Sequence, residues 1–96
     1  MKTLLITNRE EYLYTIVSDD REYKVNIEFY GLNEDVCKDN ILIVSDEIFT
    51  SMINDKIINF GLIDSKYGKA KEELKDSDIV ILKNGEKTIY LKQVFG

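Results

Sequence analysis

Two runs of alternating apolar and polar residues flank a pair of aspartates in YLYTIVSDDREYKVNIEFYG, residues 12–31. Alternation with a period of two indicates β-strands with one buried face, and aspartates between such runs are typical of a tight turn. If Asp19 and Asp20 form a two-residue turn, Ser18 pairs with Arg21 and the register of the whole hairpin follows. A slip by one residue would mix the two faces, so the pattern and the turn predict the same hairpin.

The predicted register separates the side chains of this hairpin into two chemically different faces. One face is apolar and aromatic and consists of Tyr12, Tyr14, Ile16, Tyr23, Val25, Ile27 and Phe29. The other is mostly polar and consists of Glu11, Leu13, Thr15, Val17, Glu22, Lys24, Asn26 and Glu28. Such a contrast is expected when one face of an antiparallel sheet covers a core. We therefore expect most of these rings to be buried, and not to form a stacking platform for a ligand.

Three further apolar segments predict β-strands outside this hairpin. Residues 2–7 (KTLLIT) precede it and complete a three-strand antiparallel meander. Residues 41–44 (ILIV) are short and fully apolar, which is typical of a buried strand. Residues 57–63 (IINFGLI) predict another strand, in which Gly61 marks a bulge or a close approach.

Residues 46–54 predict a short helix. Ser45 can cap it by accepting a hydrogen bond from an early backbone N–H group, and Asp46 and Glu47 are favourable in the first turn. The spacing of four residues gives the helix one apolar side: Ile48, Phe49, Met52 and Ile53. A tight hairpin at the two acidic residues, followed by another strand, is the alternative interpretation.

The last segment, residues 78–95, predicts a second β-hairpin. Asn84-Gly85 can supply the positive φ angles of a type I′ turn, which would place Lys83 opposite Glu86. One face of this hairpin carries Val80, Leu82, Ile89 and Leu91, and the other carries Ile79, Ile81, Tyr90 and Val94. Two apolar faces are expected to be covered twice, by a core and by a helix or a second subunit. The second set is therefore the candidate protein interface.

Together these elements predict one domain over residues 1–96, mainly β, folded as a small antiparallel β-barrel or a strongly curled sheet. One or two short helices complete it, the second at residues 67–75, where Gly68 weakens the helix. An open α+β sheet with helices on one face is the alternative. The strand–helix–strand order of residues 41–63 resembles that of oligonucleotide-binding barrels, and no sequence motif accompanies the resemblance.

The residue inventory argues against catalysis. The chain has no histidine, so the commonest general base and the usual partner of a nucleophile are missing. Its single cysteine, Cys37, lies among acidic residues that disfavour the thiolate, and one cysteine cannot build a structural zinc site. Neither GxGxxG nor GxxxxGK occurs. We therefore predict a non-catalytic protein with no cofactor and no bound metal.

The charge distribution favours a protein partner over nucleic acid. The net charge is −5, with eleven acidic and five basic residues in 1–48 and seven acidic and eight basic residues in 49–96. An acidic protein is a poor candidate for neutralising phosphates. One cluster of basic and aromatic residues could nevertheless track a single strand and stack a base: Lys66, Tyr67, Lys69 and Lys71. We predict binding to another protein or self-association, with single-stranded nucleic-acid binding as the alternative.

The apolar runs also bear on location. None approaches the roughly 20 residues needed to span a bilayer. The opening MKTLLIT is interrupted by the polar residues 8–11 before it reaches the length of a secretion signal. A single cysteine excludes an internal disulfide, so nothing indicates an oxidising compartment. We expect a cytoplasmic protein that does not associate with membranes.

Overall fold

A computed structural model describes residues 1–32, 40–54, 56–63 and 79–94 of the chain. Within these residues lie seven β-strands and one α-helix: β1 (Lys2–Glu10), β2 (Leu13–Ser18), β3 (Arg21–Tyr30), β4 (Asn40–Val44), α1 (Asp46–Ile53), β5 (Ile57–Leu62), β6 (Ile79–Asn84) and β7 (Lys87–Gln93). The strands form a closed barrel in the order β1-β2-β3-β5-β7-β6-β4. The prediction of a small β-barrel is confirmed, with one short helix within the described residues, and the open α+β sheet is wrong.

The hairpin of β2 and β3 has the predicted register. Ser18 pairs with Arg21, as a two-residue turn between them requires. Asp19 and Asp20 both have positive φ angles, of 50° and 62°. Two successive positive φ angles are the signature of a type I′ turn, whose twist matches that of the flanking strands. The turn and the alternating pattern therefore fix this part of the barrel together.

One parallel strand pair closes an otherwise antiparallel sheet. β3 runs parallel to β5, with Ile27 opposite Ile58 and Phe29 opposite Phe60. Parallel strands need a crossover connection, and β4 and α1 lie between these two strands in the chain. β4 pairs with β1 on one side and with β6 on the other, so the crossover strand is itself part of the wall.

The interior is filled by inward-facing side chains from all seven described strands. Several have no exposed surface at all: Leu4, Ile6, Ile16, Ile27, Leu42, Val44, Phe60, Val80, Leu82 and Leu91. Burying one such side chain stabilises the fold by about 1.5–3 kcal/mol. A barrel this narrow is filled by its own side chains, so its wall has a core on one side only.

The helix α1 packs against the end of the barrel where β1 begins and β4 ends. The Ile48 N–H group donates to Oγ of Ser45 at 3.2 Å, so Ser45 is the predicted N-cap. Ile48, Phe49 and Met52 are buried, and the Phe49 ring meets the Tyr23 ring edge to face at 5.5 Å. The helix prediction is confirmed, and the alternative of a strand in this segment is wrong.

The hairpin of β6 and β7 forms, but its turn lies one residue later than predicted. Asn84 pairs with Lys87, so Lys83 does not face Glu86. The turn residues are Gly85 and Glu86, and Gly85 has a φ of 61°. Glycine adopts this conformation at no steric cost and takes the first turn position, as in type II′ turns. Moving the turn by one residue pairs each β6 residue with a β7 residue two positions further along than predicted. Because side chains alternate between faces with a period of two, each side chain stays on its predicted face.

β4 differs from its prediction as a buried strand. Leu42 and Val44 are fully buried, whereas Ile41 is exposed and Ile43 is half-buried. Successive residues of a strand point to opposite faces, and this strand has the core on one face only. Its two isoleucines therefore belong to the outer surface. The predicted helix at residues 67–75 and Cys37 lie outside the described residues.

The β2–β3 turn allows a test of the register. We expect Asp20→Gly to raise the free energy of unfolding by about 0.5–1 kcal/mol, because glycine relieves a left-handed conformation that costs other residues about 1–2 kcal/mol. Glu22→Gly, two residues further into β3, is the control and should lower it by about 0.5–1 kcal/mol. Urea denaturation measures both. Destabilisation by Asp20→Gly would contradict the turn.

Candidate protein-interaction surface

Outward-facing apolar side chains form a continuous band across five strands. Leu5 on β1 pairs with Val17 on β2 and with Ile41 on β4. Ile81 on β6 pairs with Ile43 on β4 and with Tyr90 on β7. Directly paired residues lie on the same side of a sheet, so these side chains are neighbours on the outer wall. We call this set the outer stripe: Val17, Leu5, Ile41, Ile43, Ile81 and Tyr90.

The outer stripe remains partly accessible to solvent. Leu5 is 42% exposed and Ile41 is 37% exposed, and the other four side chains are half-buried. The outward face of β3 has the opposite character and carries Glu22, Lys24, Asn26 and Glu28. The outside of the barrel is therefore chemically asymmetric, with an apolar side over β1, β4 and β6 and a polar side over β3.

The structure brings together part of the predicted interface. Ile81 and Tyr90 are cross-strand partners on the outer face and belong to the outer stripe. Val94 lies over Gly61, where an added Cβ atom would come within 3.1 Å of Cγ1 of Val94. Gly61 thus marks the predicted close approach. The side chain of Ile79 lies outside the described part of the structure.

Sequence reasoning missed the contribution of β1 and β4 to this surface. Leu5, Ile41 and Ile43 were expected only in strands, with no surface role. The signal in the sequence is the absence of polar residues between the apolar ones in LLI and ILIV, which indicates two apolar faces. The signal becomes informative only once the pairing of β4 with β1 and β6 is known.

The predicted nucleic-acid contacts cannot be placed against this surface. Lys66, Tyr67, Lys69 and Lys71 lie outside the described residues. Binding of single-stranded nucleic acid through them stays a prediction.

A second group of exposed apolar side chains lies at the end of the barrel opposite α1. Tyr12 is 54% exposed, Tyr30 is 48% exposed and Leu62 is 43% exposed. Tyr30 pairs with Gly61, the residue before Leu62, and Tyr12 lies in the turn between β1 and β2. We call Tyr12, Tyr30 and Leu62 the aromatic rim.

The exposure of Tyr12 corrects one part of the predicted hairpin face. The carbonyl oxygen of Tyr12 accepts a hydrogen bond from the Ile27 N–H group at 3.0 Å, as the predicted register requires. Its side chain nevertheless lies beyond the last layer of the core, because the barrel wall ends there. Tyr14 is 3% exposed, and Tyr23 and Phe29 are half-buried against the core, so the other rings of that face point inward as predicted.

Three packed rings, Tyr14, Phe29 and Phe60, lie one or two positions along the chain from the residues of the aromatic rim. The Phe29 ring meets the Tyr14 ring edge to face at 5.6 Å and lies 5.8 Å from the Phe60 ring, measured between centroids. The Arg9 guanidinium lies 5.8 Å from the centroid of the Tyr14 ring, and Nε of Arg9 donates to the Glu11 carbonyl oxygen at 2.6 Å. Aromatic contacts of this geometry are stabilising beyond the area they bury, so the cluster next to the rim is well packed.

The Tyr30 hydroxyl has a defined partner. It donates a hydrogen bond to Oε2 of Glu28 at 2.7 Å. This bond raises the pKa of Tyr30 above its ordinary value, and partial desolvation, the Glu28 charge and the nearby Tyr12 act in the same direction. The neutral phenol is therefore favoured in the folded state. Its stabilising effect is present below the ordinary pKa of tyrosine and is lost as the pH rises through the raised pKa.

Two further features concern metals and membranes. Within residues 1–32, 40–54, 56–63 and 79–94, no group of three or more histidine, cysteine, aspartate or glutamate side chains could hold a metal ion. In that same part of the chain, no helix is both long enough and apolar enough to cross a bilayer.

No family model matches the chain, and neither a curated protein nor a solved structure shows significant similarity to it.

The hydrogen bond between Tyr30 and Glu28 can be tested by titration. We expect Glu28→Gln to lower the pKa of Tyr30 toward its ordinary value, because the variant removes the charged acceptor. Glu22→Gln, on the same face of β3, removes the same charge away from Tyr30 and should leave that pKa unchanged. The ring resonances of Tyr30, followed by NMR between neutral and alkaline pH, report both. Equal effects of the two variants would contradict the bond.

Proposed function

We propose that this protein is a non-catalytic β-barrel that binds another protein, in the simplest case a second copy of itself, through the outer stripe. One observation supports this proposal: apolar side chains form a continuous band over five strands on the outer face of the barrel, although the core lies inside it. A contiguous exposed apolar patch on a small protein is typical of an interaction site.

The closed sheet restricts how such a contact can form. A barrel has no free strand edge among its paired strands, so association by strand addition is disfavoured. The contact must instead be made by side chains of the wall. Leu5 and Ile41 lie at the centre of the outer stripe, where the apolar anchors of an interface are usually found.

Exposed polar side chains border the outer stripe. Thr3 pairs with Ile43, and Lys83 pairs with Ile41 and with Thr88. An apolar centre with a polar border is the usual anatomy of an interface. A contact between two copies about a two-fold axis would place the same patch on itself and would cover both apolar centres at once.

Single-stranded nucleic-acid binding is the second candidate. The exposed rings of Tyr12 and Tyr30 favour it, because bases stack on such faces without sequence preference. The carboxylates beside them disfavour it, because phosphates bind to basic surfaces. The absence of catalysis, the absence of a cofactor and the cytoplasmic location also stay predictions.

The outer stripe can be tested with a matched pair of variants. Ile41→Lys places a charge at its centre, whereas Ile57→Lys places the same charge at an isoleucine that is 62% exposed on β5, outside the stripe. We expect Ile41→Lys to raise the dissociation constant of self-association about tenfold or more, and Ile57→Lys to leave it within about twofold.

Sedimentation equilibrium over a wide concentration range measures these dissociation constants. A protein that stays monomeric at all concentrations would overturn self-association. Equal effects of the two lysine variants would overturn the assignment of the contact to the outer stripe.

A further inference from the structure

We propose that the aromatic rim is a second binding site, which takes an arginine or lysine side chain from an extended segment of a partner polypeptide. This site lies on a different surface from the outer stripe. It is independent of whether the protein associates with itself.

The exposed Tyr30 ring is held in place, and Tyr12 is held at its backbone. Tyr30 is fixed at its hydroxyl by Glu28, at 2.7 Å, and the backbone of Tyr12 is fixed by its hydrogen bond from Ile27, at 3.0 Å. A ring with a restrained orientation loses little conformational freedom when a ligand covers it, which favours binding. About half of each ring's residue surface is open to solvent, so a ligand can reach both.

The charges around the rim select a cation. Glu10, the last residue of β1, and Glu11, in the turn that carries Tyr12, are both exposed, and Glu28 lies beside Tyr30. The neighbouring base, Arg9, is engaged by the Glu11 carbonyl oxygen and lies over the Tyr14 ring inside the rim. A cation at this site is attracted by the negative charge of the carboxylates and by the quadrupole of the aromatic rings.

Among the described residues, Lys92 is a further basic residue, on the strand next to β5. Lys92 pairs with Gly61, which in turn pairs with Tyr30, so Lys92 lies two strands from that ring. Two strand spacings are about 10 Å, close to the screening length at physiological salt. Its charge therefore offsets little of the attraction at Tyr12 and Glu28.

Arginine fits the site better than lysine. Its planar guanidinium can stack on a tyrosine ring and form paired hydrogen bonds to a carboxylate such as Glu28, which has acceptor sites beyond the one that Tyr30 uses. Leu62, next along the rim, offers an apolar contact for a neighbouring side chain of the same segment. Phosphate groups are repelled by the same carboxylates.

The experiment uses fluorescence anisotropy at low salt with four dye-labelled probes: hexa-arginine, hexa-lysine, hexa-glutamate and a mixed-sequence single-stranded oligonucleotide. We expect hexa-arginine to bind most tightly, hexa-lysine to bind more weakly, and the two anionic probes not to bind. Tyr12→Leu and Tyr30→Leu should each weaken hexa-arginine binding roughly two- to fivefold.

Glu28→Gln and Glu22→Gln form the control pair, since both remove one charge from the outer face of β3. Glu28→Gln should weaken hexa-arginine binding roughly two- to fivefold, and Glu22→Gln should change it by less than that. Ile57→Lys, which adds one positive charge at the start of β5 outside both surfaces, should behave in the same way as Glu22→Gln.

Several outcomes would overturn the proposal. Equal weakening by the two glutamine variants would indicate attraction by net charge alone, and failure of both cationic probes to bind would remove the site. Oligonucleotide binding that is lost in Tyr30→Leu would reassign the rim to base stacking. Ring resonances of the unsubstituted protein give a check that needs no variant: hexa-arginine should shift those of Tyr12 and Tyr30 and leave those of Tyr90 in place.

Discussion

Inward packing of the β2–β3 hairpin is the interaction on which the barrel depends. Ile16 and Ile27 are fully buried, and the Tyr14 ring joins Phe29 and Phe60 in one aromatic cluster. This cluster crosses the parallel pair of β3 and β5, which is the step that closes the sheet. Without the rings, that pair would be held by the buried Ile27 and Ile58 side chains and by backbone hydrogen bonds, and the hydrogen bonds contribute little net stability.

A narrow closed barrel buries only one face of each strand, and both proposed sites follow from that constraint. Apolar residues whose side chains point to the outer face remain at the surface, as Leu5 and Ile41 do in the outer stripe. At one end of the barrel, Tyr12 is exposed because it lies past the last layer of the core, and Tyr30 is exposed because it lies on the outer face of β3 beside Glu28. The two surfaces differ in chemistry: one is apolar with a polar border, and the other combines ring faces with carboxylates.

Local features of the sequence were sufficient for local structure. The turn at Asp19 and Asp20 and the period-two pattern predict the first hairpin, and Ser45 predicts the start of the helix. Pairings between distant segments have no comparable signal, so the parallel closure and the neighbours of β4 were not predicted. The outer stripe depends on those pairings, and the exposure of Tyr12 depends on where the wall ends. At the second hairpin, the Asn84-Gly85 dipeptide predicted a turn one residue too early. The observed turn begins at Gly85, the one turn residue there with a positive φ angle.

The inward-facing rings of the first hairpin hold the barrel together from inside. Comparison of Tyr14→Ala with Tyr12→Ala by urea denaturation tests this role most directly, since both tyrosines belong to the same predicted face and differ in burial. We expect a loss of about 3–5 kcal/mol in the free energy of unfolding for Tyr14→Ala, or failure to fold, and a change within about 0.5 kcal/mol for Tyr12→Ala. Similar small losses for both variants would contradict it.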